Sequence, residues 1–78
     1  MALLMMLNRR RMMEISVNGQ LQQVDENYTI AQLLGTLGLE NQRLAVELNL
    51  AIVPRSLFET RILTQGDKIE IVQAIGGG

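Results

Sequence analysis

Lys68-Ile69-Glu70-Ile71-Val72-Gln73-Ala74, running straight into Ile75-Gly76-Gly77-Gly78, is the stretch on which the fold turns. Its Ile and Val content and its alternation of apolar with charged residues mark a β-strand. Ile69 and Ile71 share one side of that strand. Covering both requires a packed layer on that side and neighbouring strands on the flanks, which places the strand in the interior of a sheet. Gln65-Gly66-Asp67 supplies the turn that opens it.

Working outward, Met13-Glu-Ile-Ser-Val17 also alternates, Asn18-Gly19 is the strongest short hairpin signal, and residues 20–24 return as a second strand. Asp25, Glu26 and Asn27 break the pattern, with Asp25 and Glu26 read as complementing the N-terminal dipole of a following helix. Thr29 can cap that helix, which runs through Ile30, Leu33, Leu34 and Leu37 at spacings of three and four, and Gly38 is placed to end it. Leu44, Val46 and Leu48 alternate with Ala45, Glu47 and Asn49 as a third strand. Ile52 and Val53 form a short fourth strand stopped by Pro54, which lacks a ladder donor. Residues 55–60 are too few for an independent helix and read as a turn or 3₁₀ segment anchored by Leu57 and Phe58.

The order is thus two strands, a helix and three strands. The last strand takes the first hairpin as neighbour, parallel to the first strand, because the long intervening chain can make the crossover. One helix then covers one face of a mixed sheet: an α+β fold of the β-grasp type. Its expected core is Ile15, Val17, Leu33, Leu34, Leu37, Val46, Leu48, Ile69 and Ile71. The opposite face of the last strand shows Lys68, Glu70, Val72 and Ala74, apolar only beside the tail, so Val72, Ala74 and Ile75 are candidate partner contacts.

With 78 residues there is room for one small domain, and no cysteine or histidine is present. Disulfides, the usual zinc sites, thiol nucleophiles and imidazole bases are therefore excluded. From residue 13 onward four basic residues (Arg43, Arg55, Arg61, Lys68) face eight acidic ones, leaving −4, which disfavours nucleic acid and suits a basic partner surface. Residues 1–12 hold seven apolar-leaning positions and then Arg9-Arg10-Arg11. The cations follow the apolar run instead of preceding it, and the run is far below the roughly 20 residues of a membrane span, so neither a secretory signal nor an anchor is expected. The segment reads as a disordered extension, or as translation from a start upstream of Met12 or Met13, with a basic docking arm as the alternative. A cytoplasmic location follows from this reading, and the Asn27-Tyr28-Thr29 sequon is then a coincidence.

The glycine run has no helix after it and cannot form a Walker-type phosphate loop. It is either a frayed tail or a backbone arm without side chains that carries the carboxylate of Gly78 into a narrow site. A carboxylate becomes an acyl donor once its oxygen is made a good leaving group, as adenylation does. Arg55 is a solvated charge, a tail-facing cation or a partner contact.

Three stretches in order, Ala45-Val-Glu-Leu-Asn49 with Ile52-Val-Pro-Arg55, then Gly66-Asp67-Lys-Ile-Glu-Ile-Val72, then Gly76-Gly-Gly78, resemble the ThiS family of sulfur carrier proteins of thiamine biosynthesis. The resemblance covers residues 13–78. It implies a ubiquitin-like β-grasp domain over 13–74, a C-terminal glycine tail over 75–78, and no enzyme activity in the chain itself. It further implies that Gly78 is adenylated by an E1-like, ThiF-like adenylyltransferase using ATP. Sulfur from a donor such as a cysteine desulfurase then gives a thiocarboxylate. A ThiG-like thiazole synthase takes that sulfur, and Gly76, Gly77 and Gly78 are the tail that enters the partner sites. The chain binds no cofactor or metal in this reading. Asn49-Leu50-Ala51 departs from the Asn-Gly common in the family and bears on that turn. The competing readings are the small subunit of molybdopterin synthase, a protein-conjugating modifier, and a β-grasp interaction module whose glycines are not activated.

Overall fold

Asn18 and Gly19 both take positive φ, 50° and 84°, the backbone of a type I′ turn whose twist matches the strands it joins. It links β1 (Met12–Val17) to β2 (Gln20–Asp25), antiparallel from Met12↔Asp25 to Val17↔Gln20. The structure, a computed structural model, describes residues 12–73. Of the extension expected over 1–12, Met12 belongs instead to β1, paired with Asp25, and residues 1–11 and 74–78 lie outside the described residues.

α1 (Ile30–Thr36) starts where the sequence places it. Thr29 Oγ1 accepts the Gln32 N–H at 3.1 Å and Gln32 Oε1 accepts the Thr29 N–H at 2.8 Å, a capping box that satisfies two otherwise orphaned donors. Two more first-turn donors are met from outside the helix: the Ile30 and Ala31 N–H groups bond the carbonyls of Arg61 and Phe58 at 3.1 and 2.8 Å. At the other end Gly38 sits at φ 74°, with Gly38 N–H on the Gly35 carbonyl and Leu39 N–H on the Leu34 carbonyl, a Schellman closure. Leu37 is the cap, one residue past the last helical position, and is only partly buried.

β3 (Leu44–Leu48), β4 (Ala51–Val53), a 3₁₀ turn at Arg55–Leu57 and β5 (Lys68–Gln73) complete the chain. The sheet order is β2-β1-β5-β3-β4, with β5 parallel to β1 and antiparallel to β3. The last strand therefore lies at the centre, as its two isoleucines require, and the fold is a β-grasp.

The core is wider than the nine expected residues. Ile15, Leu33, Leu34, Val46, Leu48, Ile69 and Ile71 are buried, joined by Val24, Ile30, Val53, Phe58 and Leu63. Val17 and Leu37, expected inside, lie half-buried at the rim, because β1 ends and the helix closes there. Leu57 is exposed while its neighbour Phe58 is buried: the tight 3₁₀ turn can aim only one of two adjacent side chains inward. Leu63 N–H bonds the Tyr28 carbonyl at 2.7 Å, which draws the loop over the open end of the core. Among the described residues no helix is long and apolar enough to cross a membrane.

Candidate functional site

The chemistry expected of this chain sits beyond the end of β5, so the site begins with what holds that end. On one flank β3 pairs with it as far as Leu44↔Gln73. On the other flank β1 has already turned away into the hairpin, and a side chain takes its place. Asn18 Oδ1 accepts the Ile71 N–H at 2.7 Å and Asn18 Nδ2 donates to the Ile71 carbonyl at 3.2 Å. The Asn18 backbone N–H meets the Ile69 carbonyl at 2.9 Å. Asn18 thus continues the parallel ladder by one residue, with an amide side chain imitating a peptide group.

A second asparagine performs the same service at the start of β5. Asn49, also at positive φ (51°), accepts the Lys68 N–H through Oδ1 at 2.9 Å and donates through Nδ2 to Asp67 Oδ1 at 2.9 Å. Its backbone N–H meets the Lys68 carbonyl at 2.8 Å. Neither role was visible in the sequence. The asparagines read as turn residues there, and the signal that exists, a side chain with both a donor and an acceptor where φ is positive, does not say which strand it will reach.

The face of the sheet away from α1 is open. Val72, proposed as a partner contact, is 60% exposed on it, opposite the exposed Ala45. Ala74 and Ile75, the other two, and Gly76, Gly77 and Gly78 lie outside the described residues. Arg43 and Arg55 border a shallow depression next to Val72 and Gln73. Arg55 donates to the Gln42 carbonyl at 3.3 Å and its guanidinium lies 5.6 Å from the centre of the Phe58 ring, so it is more tethered than a plain solvated charge.

Two residues further from the tail on the same pair of strands, Glu47 and Glu70 stand directly opposite one another, with Ile52, 73% exposed, opposite Glu47. Like charges in register across a ladder are unfavourable, and no ion pair relieves them among the described residues. On the helix side of the same sheet end, a cleft near 420 Å³ has an apolar floor of Val17, Leu37, Leu39 and Ile71 and a rim of side-chain amides that includes Gln22 and Gln73.

Asp25 and Glu26 precede α1, as expected, but neither enters its first turn. Asp25 closes β2 opposite Met12, and no acidic residue lies in the first turn of α1, because the chain needs Asn27 at φ 65° and Tyr28 to reach the cap. Among the described residues no group of three acidic side chains converges that could hold a metal ion.

The arrangement is therefore an anchored central strand aimed out of the domain, an open face with apolar, acidic and basic patches, and no catalytic cluster among the described residues. The ThiS family model matches residues 11–78. Thiazole synthase of Paramagnetospirillum magneticum is 42% identical over 66 residues, 85% of this chain but 20% of that protein, so the chain spans about a fifth of its length. The sulfur carrier protein ThiS of Escherichia coli is 35% identical over 66 residues, 85% of this chain and 100% of that protein. The crystal structure of the thiamine biosynthesis protein ThiS from Geobacter metallireducens superposes with a TM-score of 0.72 at 32% identity, covering 85% of this chain and 100% of the other. The family model covers nearly the whole chain and the two ThiS proteins are matched over their full length, which places the chain in the ThiS family of sulfur carrier proteins.

Proposed function

We propose that the chain carries sulfur for thiamine biosynthesis on the carboxylate of Gly78. The observation that supports this most directly is the placing of β5. The central strand of the sheet, held on both flanks, ends at Gln73, and the sequence continues from there as Ala74-Ile75-Gly76-Gly77-Gly78. A rigid strand that gives way to glycines suits delivery of a main-chain carboxylate into another protein's active site, because no Cβ obstructs the approach.

The chemistry is a two-step acyl activation. A carboxylate oxygen of Gly78 attacks the α-phosphorus of ATP on a ThiF-like adenylyltransferase, the bond to the β-phosphate oxygen breaks, and pyrophosphate leaves. The terminal sulfur of a persulfide, such as a cysteine desulfurase carries, adds to the acyl carbon and AMP departs, giving an acyl disulfide. Two equivalents of a thiol reductant then cleave its S–S bond, becoming a disulfide and leaving the thiocarboxylate and the donor's thiol. A ThiG-like thiazole synthase then takes the sulfur. The resemblance of 85% of the chain to one fifth of a thiazole synthase favours that acceptor over a pterin precursor. The chain acts in the cytoplasm as a co-substrate of these enzymes, binding neither ATP nor metal itself.

The open face supplies the docking surface in this reading. Val72, Ala45 and Ile52 offer apolar area, and Glu47 and Glu70 are best relieved by a cationic partner surface. Intact mass spectrometry tests the proposal, using the full chain incubated with the adenylyltransferase, ATP and a sulfur source. Replacement of one oxygen by sulfur, localised to Gly78, is the expected result. An unmodified chain beside an adenylyltransferase that modifies another family member would overturn it.

A further inference from the structure

We infer that Asn18 is a positioning residue for the reaction at the tail: by bonding both the N–H and the carbonyl of Ile71, it fixes the direction in which β5 leaves the domain. This rests on the reading of Gly78 as the reacting residue. β1 pairs with β5 through its backbone only at Ser16↔Lys68 and Val17↔Ile69. Beyond those pairs, among the described residues, the β1 flank of β5 is held by Asn18 alone, and only Val72, Gln73 and Ala74 separate Ile71 from Ile75, the first residue of the tail.

Turn chemistry alone does not call for this side chain. Glycine satisfies positive φ at this position with no steric cost, and aspartate tolerates it. Of these three residues only asparagine offers an acceptor to the Ile71 N–H and a donor to its carbonyl at the same time. With the side chain removed, the last residues of β5 hang on β3 alone and sample directions other than the one a partner's active site accepts. Apparent affinity then falls in proportion to the competent fraction, while the reaction of a correctly inserted tail is unchanged.

Asn49 provides the matched comparison. It clamps β5 with the same amide chemistry from the same backbone region, but at Lys68, the strand's far end. A purely structural role for Asn18 predicts that the two asparagines behave alike.

The experiment measures adenylation of the full chain, followed as pyrophosphate release at varied carrier concentration, for wild type, Asn18→Gly, Asn18→Asp and Asn49→Gly. Amide hydrogen exchange at Ile71, Val72 and Gln73 is recorded alongside. Asn18→Gly is expected to raise KM for the carrier about three- to tenfold with kcat within about twofold, as a fall in competent fraction requires. Asn18→Asp, which keeps the acceptor and sets a carboxylate against the carbonyl, should move KM in the same direction. Asn49→Gly should lower Tm and leave KM unchanged. Equal KM changes in Asn18→Gly and Asn49→Gly, or none in Asn18→Gly, would overturn the inference. Absence of adenylation even for wild type would instead count against the proposed function. Hydrogen exchange then decides for Asn18: unchanged protection at Ile71 to Gln73 in the Asn18 variants refutes the clamp, and faster exchange supports it.

Discussion

Leu50 stands at φ 72°, beside Asn49 at 51°, in the two-residue turn that joins Leu48 to Ala51. This left-handed region costs an L-residue about 1–2 kcal/mol, and the penalty applies fully to leucine, whose side chain cannot form the local hydrogen bond that eases asparagine. Nothing repays it through burial, since Leu50 is 81% exposed. Leu50→Gly should therefore stabilise the domain. The relief is offset by the extra freedom glycine gives the unfolded chain, about 0.4–1 kcal/mol, which leaves a net gain of about 0.5–1 kcal/mol. At about 4–8 °C per kcal/mol for a domain of this size, Tm should rise by about 2–8 °C in a calorimetric melt. Leu50→Ala separates the two candidate causes. It removes the same exposed apolar surface but keeps a Cβ at positive φ, so its Tm should stay near that of wild type. A Leu50→Gly protein melting at or below wild type, or an Ala variant gaining as much as the Gly variant, would refute the assignment of strain to this backbone.

Three further outcomes are expected. Thr29→Ala breaks the capping box and should cost about 1 kcal/mol, read as a lower urea midpoint with an unchanged m-value. Glu47→Gln removes the like-charge contact with Glu70 and should raise stability by a few tenths of a kcal/mol at low ionic strength. That gain should vanish in about 1 M salt, and a gain that persists there would point to another cause. Gly78→Ala should melt like wild type and be adenylated more slowly, because one methyl obstructs a channel shaped for glycine; unchanged kinetics would argue against a narrow channel.

The parts of the fold set by local rules were legible in the sequence. Asn18-Gly19 specifies its own turn, Thr29 specifies a helix start, and the isoleucines of β5 specify a central strand. Residues whose position depends on distant chain were harder to read. Phe58 and Leu63 enter the core because the loop carrying them supplies carbonyls to the first turn of α1 and a donor to Tyr28, contacts that no periodicity announces. Leu57 resembles Phe58 in every sequence property used and differs only in the direction the 3₁₀ turn gives it. At the site, the exposure of Val72 was readable from strand alternation. The clamps made by Asn18 and Asn49 were not, since each spans a separation that only the finished topology closes.

The same topology decides which perturbations can reach the tail. β5 is the strand that fills the core, through Ile69 and Ile71, and also the strand that continues into the glycines. Core packing and tail delivery therefore share one backbone. A cavity opened under Ile71 loosens the residue Asn18 holds, and its effect passes to Val72 and Gln73 through the chain itself. An equal loss of stability at Val53 or Val24, on the two edge strands, is separated from β5 by a complete intervening strand in the order β2-β1-β5-β3-β4. Such an edge variant lowers the population of folded carrier without changing the direction in which the folded molecules present their tails. Stability and activation are thus coupled at the centre of this sheet and separable at its edges, and substitutions of matched thermodynamic cost at the two places distinguish a carrier that is merely unfolded from one that is misdirected.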